Sequence, residues 1–214
     1  MRRKDRYDPS GLEGTEFEPG SRKRVLKNLL GITSKREMDR IEGQEQVRAL
    51  EKLVRLYDSD HRFTAADVCN IHKIWLGRIY SWAGKYRHVN LKKDNFPFAA
   101  TSQIPTLMQS FERNELRSLT PCRSAGIKEV SKALAIVHVE LVLIHPFREG
   151  NGRVARLLST LMALQAGLPL LDFSVIAGER KKEYFTAVQV GLDKDYSPMA
   201  TLFGEIIEQS LLSS

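Results

Sequence analysis

A stripe of apolar residues at helical spacing, broken once and then resumed, limits the fold more than any other feature of this chain. Ile127, Val130, Leu134, Val137, Leu141 and Ile144 follow one another by 3, 4, 3, 4 and 3 residues, the period of one face of an α-helix. His145-Pro146 interrupts the stripe, since proline lacks the N–H that a helix interior needs. Val154, Leu157, Leu158, Leu161 and Met162 then resume the period until Gly167 and Pro169 stop it. Two core helices joined by a short polar segment must therefore sit at the centre.

The remaining elements are also mostly helical. Ser34-Lys35-Arg36-Glu37 reads as a capping box, and Met38, Ile41, Leu50, Val54 and Tyr57 mark one face of a long helix ending near Tyr57. Thr64-Ala65-Ala66-Asp67 opens a second helix that carries Val68, Ile71, Ile74 and Trp75 and ends around Ile79. Between Tyr86 and Ala99 the β-prone residues Tyr86, Val89, Phe96 and Phe98 flank Lys92-Lys93-Asp94-Asn95, the pattern of a short hairpin. Ile104, Leu107, Met108 and Phe111 mark a short helix. Amphipathic stretches at 178–191 and 197–212 complete the chain, the last with Ser197 as cap and Pro198 at the first helical position. Residues 1–20 show no periodicity and read as an irregular arm before a single domain of 21–212. The expected fold class is mainly α, a helical bundle with one hairpin.

Composition excludes several functions. No apolar run approaches the roughly 18 residues of a membrane span, and the polar start has no apolar signal region, so the expectation is no membrane association and a cytoplasmic location. Delivery as an effector by a route without a cleaved signal remains compatible with this. Cys69 and Cys122 form no C-x-x-C pair, which argues against a disulfide scaffold or zinc ribbon. The formal charge is +7, and such an excess favours acidic partners. The basic residues are scattered and no nucleic-acid motif accompanies them, so nucleic acid is not an expected partner.

Chemistry concentrates in His145-Pro146-Phe147-Arg148-Glu149-Gly150-Asn151-Gly152-Arg153-Val154-Ala155-Arg156. Gly150, Asn151 and Gly152 at a helix start let successive N–H groups point one way, and the positive end of the helix adds to that nest, which suits an anion. Arg153 and Arg156, three apart, can lean over the first turn with forked donors for phosphate oxygens. Glu149 can hold Mg²⁺ between protein and phosphates. His145, which titrates near neutrality when unperturbed, can take a proton from an attacking hydroxyl. The set has the parts for phosphoryl or nucleotidyl transfer.

The string resembles the Fic family signature, His-x-Phe-x-(Asp/Glu)-Gly-Asn-Gly-Arg-x-x-Arg, at every fixed position. Lys27 to Thr33, Tyr80 to Arg87 and Asn95 to Ala99 look like further family landmarks in order. The resemblance implies a helical core whose signature loop, 145–156, joins two central helices, and a hairpin flap over about 88–99. It implies transfer of AMP from ATP to a Ser, Thr or Tyr hydroxyl of a target protein. His145 would be the base, Glu149 the Mg²⁺ carboxylate, Gly150, Asn151 and Gly152 the phosphate nest, and Arg153 and Arg156 the β- and γ-phosphate ligands. Phe147 would anchor the loop. The flap residues Lys92, Lys93, Asp94, Asn95, Phe96, Pro97 and Phe98 would dock the target by strand addition. One branch of the family has Lys where this chain has Gly152 and acts as a kinase, so Gly152 favours AMP transfer. UMP or phosphocholine transfer, or an idle nucleotide-binding adaptor, are the alternatives the family offers.

Many members are restrained by a helix with (Ser/Thr)-x-x-x-Glu-(Gly/Asn), whose Glu pairs with the second signature Arg. Thr33 to Glu37 and Thr201 to Glu205 fit only in part, being followed by Met38 and Ile206. Ser210 lies on the inner face of the last helix, but four residues on stands Ser214. The expectation is a toxin-like enzyme without intact self-inhibition in this chain, regulated by an inhibitory helix or a separate antitoxin protein, or released by truncation.

Overall fold

The computed structural model describes residues 16–123 and 126–213. The helices are α1 (Lys35–Leu56), α2 (Ala65–Leu76), α3 (Ile104–Phe111), α4 (Arg117–Leu119), α5 (Ile127–Ile144), α6 (Asn151–Gln165), α7 (Lys181–Val190) and α8 (Ser197–Leu212). Strands β1 (Lys92–Lys93) and β2 (Phe96–Pro97) form an antiparallel ribbon between α2 and α3, with Lys92 opposite Pro97 and Lys93 opposite Phe96. This is the mainly helical architecture with one hairpin that the apolar spacing predicts.

α5 lies at the centre, packed against α8 and α6 and also touching α3 and α7. From Ala133 onward it is buried on nearly every side, Leu134, Val137, His138 and Leu141 on one face and Ala135, Val139 and Val142 on others, whereas Lys128, Glu129 and Lys132 keep its first turns exposed on one side. α6 packs on α5 from one side and on α1 and α2 from the other. The loop between α5 and α6 is thereby flanked by packed helices, with Phe147 stacked on His72 of α2 from below and Phe98 beside the ribbon stacked on His145.

Capping follows sequence in one case and departs from it in two. Thr64 and Asp67 form a full reciprocal box at the start of α2. At α1 the Ser34 hydroxyl accepts from the Glu37 N–H at 3.4 Å, which is the Ser half of the expected box. At α8 the expected cap fails. The helix begins at Ser197 itself, and the Ser197 N–H and hydroxyl are both taken by the Asp195 carboxylate, at 2.9 and 2.6 Å. An acceptor two residues upstream outcompetes the serine as organiser of the turn.

The inner face of α1 also differs from the expected one. It runs through Met38, Glu42, Ala49 and Leu53, whereas Val54 is 43 % exposed. Hydrophobicity alone misplaces the stripe, because a charged residue, Glu42, sits at its middle and is buried by its partners. Residues 16–20, within the expected arm, fold back on the chain. Phe17 bridges Leu26, and the Glu18 carboxylate accepts from the Asn28 N–H and amide at 3.0 and 3.2 Å. Residues 1–15 of that arm, and Ser214, lie outside the described residues.

Candidate active site

α5 ends where His145 adopts a left-handed conformation, φ 53° and ψ 56°, with its N–H still bonded to Leu141 O. This turns the chain out of the helix and sets the imidazole at the mouth of a cleft. Val142 O lies 3.0 Å from His145 Nδ1. A carbonyl only accepts, so Nδ1 carries the hydrogen and Nε2 is the basic nitrogen of the neutral ring. Phe98 of the hairpin stacks on the other side, with ring centroids 3.6 Å apart and planes 17° from parallel.

Phe147 plunges inward. Its ring is inaccessible and stacks on His72 of α2 at 3.9 Å. His72 is itself fully specified: Nδ1 accepts from the Gly84 N–H at 2.7 Å, and Nε2 donates to Glu149 O at 3.1 Å. Acceptance at Nδ1 requires the neutral ring, and burial pushes the His72 pKa down to about 4. The Asn151 side chain closes the loop on itself, accepting from Phe147 N–H at 2.8 Å and donating to Phe147 O at 2.7 Å. Gly150, φ 86°, must be glycine on two counts: the left-handed backbone disfavours a side chain, and a Cβ would stand 2.6 Å from the Trp75 ring.

These constraints aim the start of α6 at the cleft. The first intrahelical bond runs from Val154 N–H to Gly150 O, leaving the amides before it at the positive end of the helix without partners inside it. At Gly152 the nearest atom to a would-be Cβ is the Tyr184 hydroxyl at 4.0 Å, so the glycine keeps open the space directly over the first turn. The cleft holds about 1050 Å³ and is walled by the loop, by the ribbon and by Tyr184 and Phe185 of α7.

The two signature arginines differ in their surroundings. Arg153 donates to Glu42 at 2.7 Å and to Glu149 at 3.3 Å, and it lies 4.5 Å over the Trp75 ring. Glu42 is 2 % exposed and also accepts from the Tyr80 hydroxyl at 2.8 Å. Burial opposes the charge on Arg153, but Glu42 and Glu149 outweigh it and raise its pKa. Arg156 has no such carboxylates among its recorded bonds. Its guanidinium lies 5.6 Å from the Phe173 ring centroid and 5.7 Å from that of Tyr184, and its Nε is buried without a hydrogen-bond partner. A buried donor in that state costs stability unless something arrives to accept from it.

Behind Arg156 runs a polar chain. Ser159 Oγ donates to Ala155 O at 2.9 Å, so it accepts from His138 Nδ1 at 3.2 Å, and His138 Nε2 in turn accepts from the Tyr184 hydroxyl at 2.8 Å. Burial holds His138 neutral, with its pKa pushed down to about 3, and raises Tyr184 to about 12. Tyr184 is therefore an un-ionised wall of the cleft whose hydrogen points away from it.

The structure thus brings His145, Glu149, Gly150, Asn151, Gly152, Arg153 and Arg156 to one cleft, together with Lys92, Lys93, Asp94, Asn95, Phe96 and Phe98 from the ribbon. Pro97 is the one ribbon residue named from sequence that does not line it. Phe147 anchors the loop from below. Sequence reading missed Glu42, His72 and Tyr184, and it quoted Arg87 within the Tyr80–Arg87 landmark without giving it a role. Glu42 had a signal, a carboxylate four residues after Met38 on the same helical face. His72 and Tyr184 are joined to the site only by tertiary packing. Neither partial inhibitory match reaches the second arginine: Glu205 pairs with Arg180 at 2.6 Å, and Glu37 lies exposed at the start of α1.

Residues 62–163 match the model of the Fic/DOC family. This segment belongs to that family. Across the wider chain, the protein adenylyltransferase VbhT of Bartonella schoenbuchensis is 33 % identical over 171 residues, 76 % of this chain and 33 % of the relative. The protein adenylyltransferase fic-1 of Caenorhabditis briggsae is 26 % identical over 212 residues, 96 % of this chain and 39 % of the relative. The chain therefore spans between a third and two fifths of these two relatives. Among solved structures, the BepC effector of Bartonella tribocorum with bound AMPPNP superposes with a TM-score of 0.70 at 25 % identity, covering 89 % of this chain and 94 % of that one. The N-terminal Fic domain of a VirB-translocated effector of Bartonella quintana with bound ADP gives 0.71 at 26 % identity, covering 93 % and 100 %. The Fic fold accordingly extends well beyond the segment matched by the family model.

Proposed function

We propose that this chain transfers AMP from ATP to a hydroxyl of a target protein, with 21–212 acting as one domain. The observation that carries the reading is that one cleft over the first turn of α6 is lined by His145, Gly152 and Arg156 together: a tautomer-fixed base, a glycine that adds no side chain there, and a guanidinium whose buried Nε has no partner. Adenylyltransferase relatives and Fic structures holding AMPPNP and ADP support the choice of nucleotide.

In this reading the amides of Asn151 and Gly152 cradle phosphate oxygens, the Gly150 N–H, which donates to Glu149 Oε1 at 3.0 Å, joins them once that carboxylate turns to the metal ion, and Arg156 supplies the fork that an unpartnered Nε–H is ready to complete. Asn151 contributes through its backbone, because its side chain holds the loop. Arg153, held by Glu42 and Glu149, adds positive potential and fixes the carboxylate beside the nest. Mg²⁺ fits that carboxylate: a hard oxygen donor next to a phosphate cradle suits an ion that arrives with the nucleotide's own oxygens. When bound, the ion would neutralise charge on the departing pyrophosphate.

The target Ser, Thr or Tyr oxygen attacks the α-phosphorus while its proton passes to His145 Nε2. The bond from the α-phosphorus to the bridging oxygen breaks, and pyrophosphate leaves. Charge stabilisation by the nest and Arg156 carries most of the acceleration. The target chain docks along the ribbon, and Pro97, which has no N–H, weakens the β2 edge for that purpose. The cell compartment follows the target, either the cytoplasm of the producing cell or, for a delivered effector, that of another. Restraint by a separate antitoxin agrees with Glu37 and Glu205 both lying away from Arg156.

ATP labelled at the α-phosphorus or at the γ-phosphorus, offered with Mg²⁺ and a cell lysate, separates the possible group transfers. Protein-bound label from the α position alone is expected. Transfer of the γ label would indicate a kinase and sink the assignment.

A further inference from the structure

Arg87 is 4 % exposed, and its side chain reaches three separate carbonyls. Nε donates to His145 O at 2.7 Å, one terminal nitrogen to Val89 O at 2.7 Å, and the other to Ala99 O at 2.6 Å. Its backbone N–H adds a bond to Pro146 O at 2.8 Å. Val89 and Ala99 are the two stems of the ribbon, and His145-Pro146 is the start of the signature loop. One guanidinium therefore ties both ends of the ribbon to the backbone of the residue that carries the base. Burial lowers the Arg87 pKa to about 10, which leaves it charged at neutral pH and its bonds charge-assisted.

At the same stem end of the ribbon, Phe98, the neighbour of Ala99, donates its N–H to Leu91 O at 3.0 Å and lays its ring on the His145 imidazole. The bond to Val142 O fixes the tautomer and the height of that ring, and the Phe98 stack fixes its plane. Anything that shifts the ribbon against the loop must slide Phe98 over the imidazole or strain the Arg87 fork.

We infer that Arg87 and Phe98 are positioning residues that make ribbon placement and His145 orientation a single structural event, so that a target strand docked on the ribbon sets the base. Neither residue touches reacting atoms; both act through His145. A lysine at 87 cannot reproduce the coupling, because an ammonium on one stem cannot serve three divergent carbonyls in the way a planar fork does. The catalytic part of this inference rests on His145 being the base, whereas the mechanical part does not.

The test is carried by NMR of the full chain labelled at its histidine rings. In the wild type, the His145 ring protons should show contacts to Phe98 and an upfield ring-current displacement. Phe98→Leu should abolish both. Arg87→Lys should weaken both although Phe98 is intact, and that is the decisive arm. If Arg87→Lys leaves the His145 displacement and contacts at wild-type values, the coupling is overturned. Should Arg87→Lys not fold, Phe98→Leu and Phe98→Tyr decide instead through kinetics. Phe98→Leu is expected to lower kcat on the order of tenfold to a hundredfold, the scale of a small misorientation, with KM for ATP unchanged, and Phe98→Tyr should restore most of it. An unchanged kcat in Phe98→Leu, or a loss confined to KM for the target, would show that the ribbon merely binds. Absence of any transfer by the wild type would remove the proposed function, while the NMR arms would still decide the coupling.

Discussion

Asn151, central to the signature, spends its side chain on the backbone of Phe147 rather than on the cleft. Asn151→Ala leaves a buried N–H and C=O unsatisfied, so a loss of about 2 kcal/mol or more is expected in urea unfolding. A purely ligand-binding role would leave unfolding unchanged. Tyr184→Phe strips His138 Nε2 of its donor and should cost about 1–3 kcal/mol by the same measurement. His138 also has a pH signature. Its folded pKa, about 3, lies below the ordinary value, so the unfolded chain binds the extra proton first. Its contribution is complete above pH 6.5 or so and is lost as pH falls towards the folded value. Melting temperatures of wild type and His138→Gln should therefore converge on acidification from pH 7 to 4, and parallel curves would contradict the assignment.

The elements divide into those written in local spacing and those fixed by partners elsewhere. α5, the break at His145-Pro146 and α6 were legible because a continuous apolar period, a proline and paired glycines are local signals. The α1 face was not, since Glu42 earns its burial only from Arg153 and Tyr80, 111 and 38 residues away. The Ser197 cap was misplaced because Asp195 competes for the same groups. The site divides the same way: its reacting residues lie in one contiguous string, whereas His72, Arg87 and Tyr184 join it only when α2, the ribbon and α7 are folded around it. At this scale the α1–α6 tie is testable. Glu42→Ala leaves Arg153 with Glu149 as its remaining recorded carboxylate, and breaking such a largely buried pair should cost ~3 kcal/mol. A double-mutant cycle with Arg153→Met should return a coupling above ~1 kcal/mol, and additive losses would mean that the pair is incidental.

For the molecule as a whole, the cleft between ribbon, loop and α7 should make stability depend on nucleotide. Mg-ATP at a hundred times its Kd stabilises a protein by about 2.7 kcal/mol, roughly a 5–10 °C rise in Tm for a chain of this size. Arg156→Ala should lose most of that rise, and an equal rise in both proteins would place the nucleotide elsewhere. The +7 charge with which composition offered a choice of acidic partners acquires a narrower meaning here, with Arg156 facing the cleft and Arg153 neutralised by carboxylates. The central claim joins that cleft to one base and one acceptor hydroxyl. It is tested most directly by mass spectrometry of lysate proteins treated with ATP and either wild type or His145→Ala, after calorimetry has established nucleotide binding by both. Adenylylated Ser, Thr or Tyr side chains are expected with wild type alone. Equal modification by the two would contradict it.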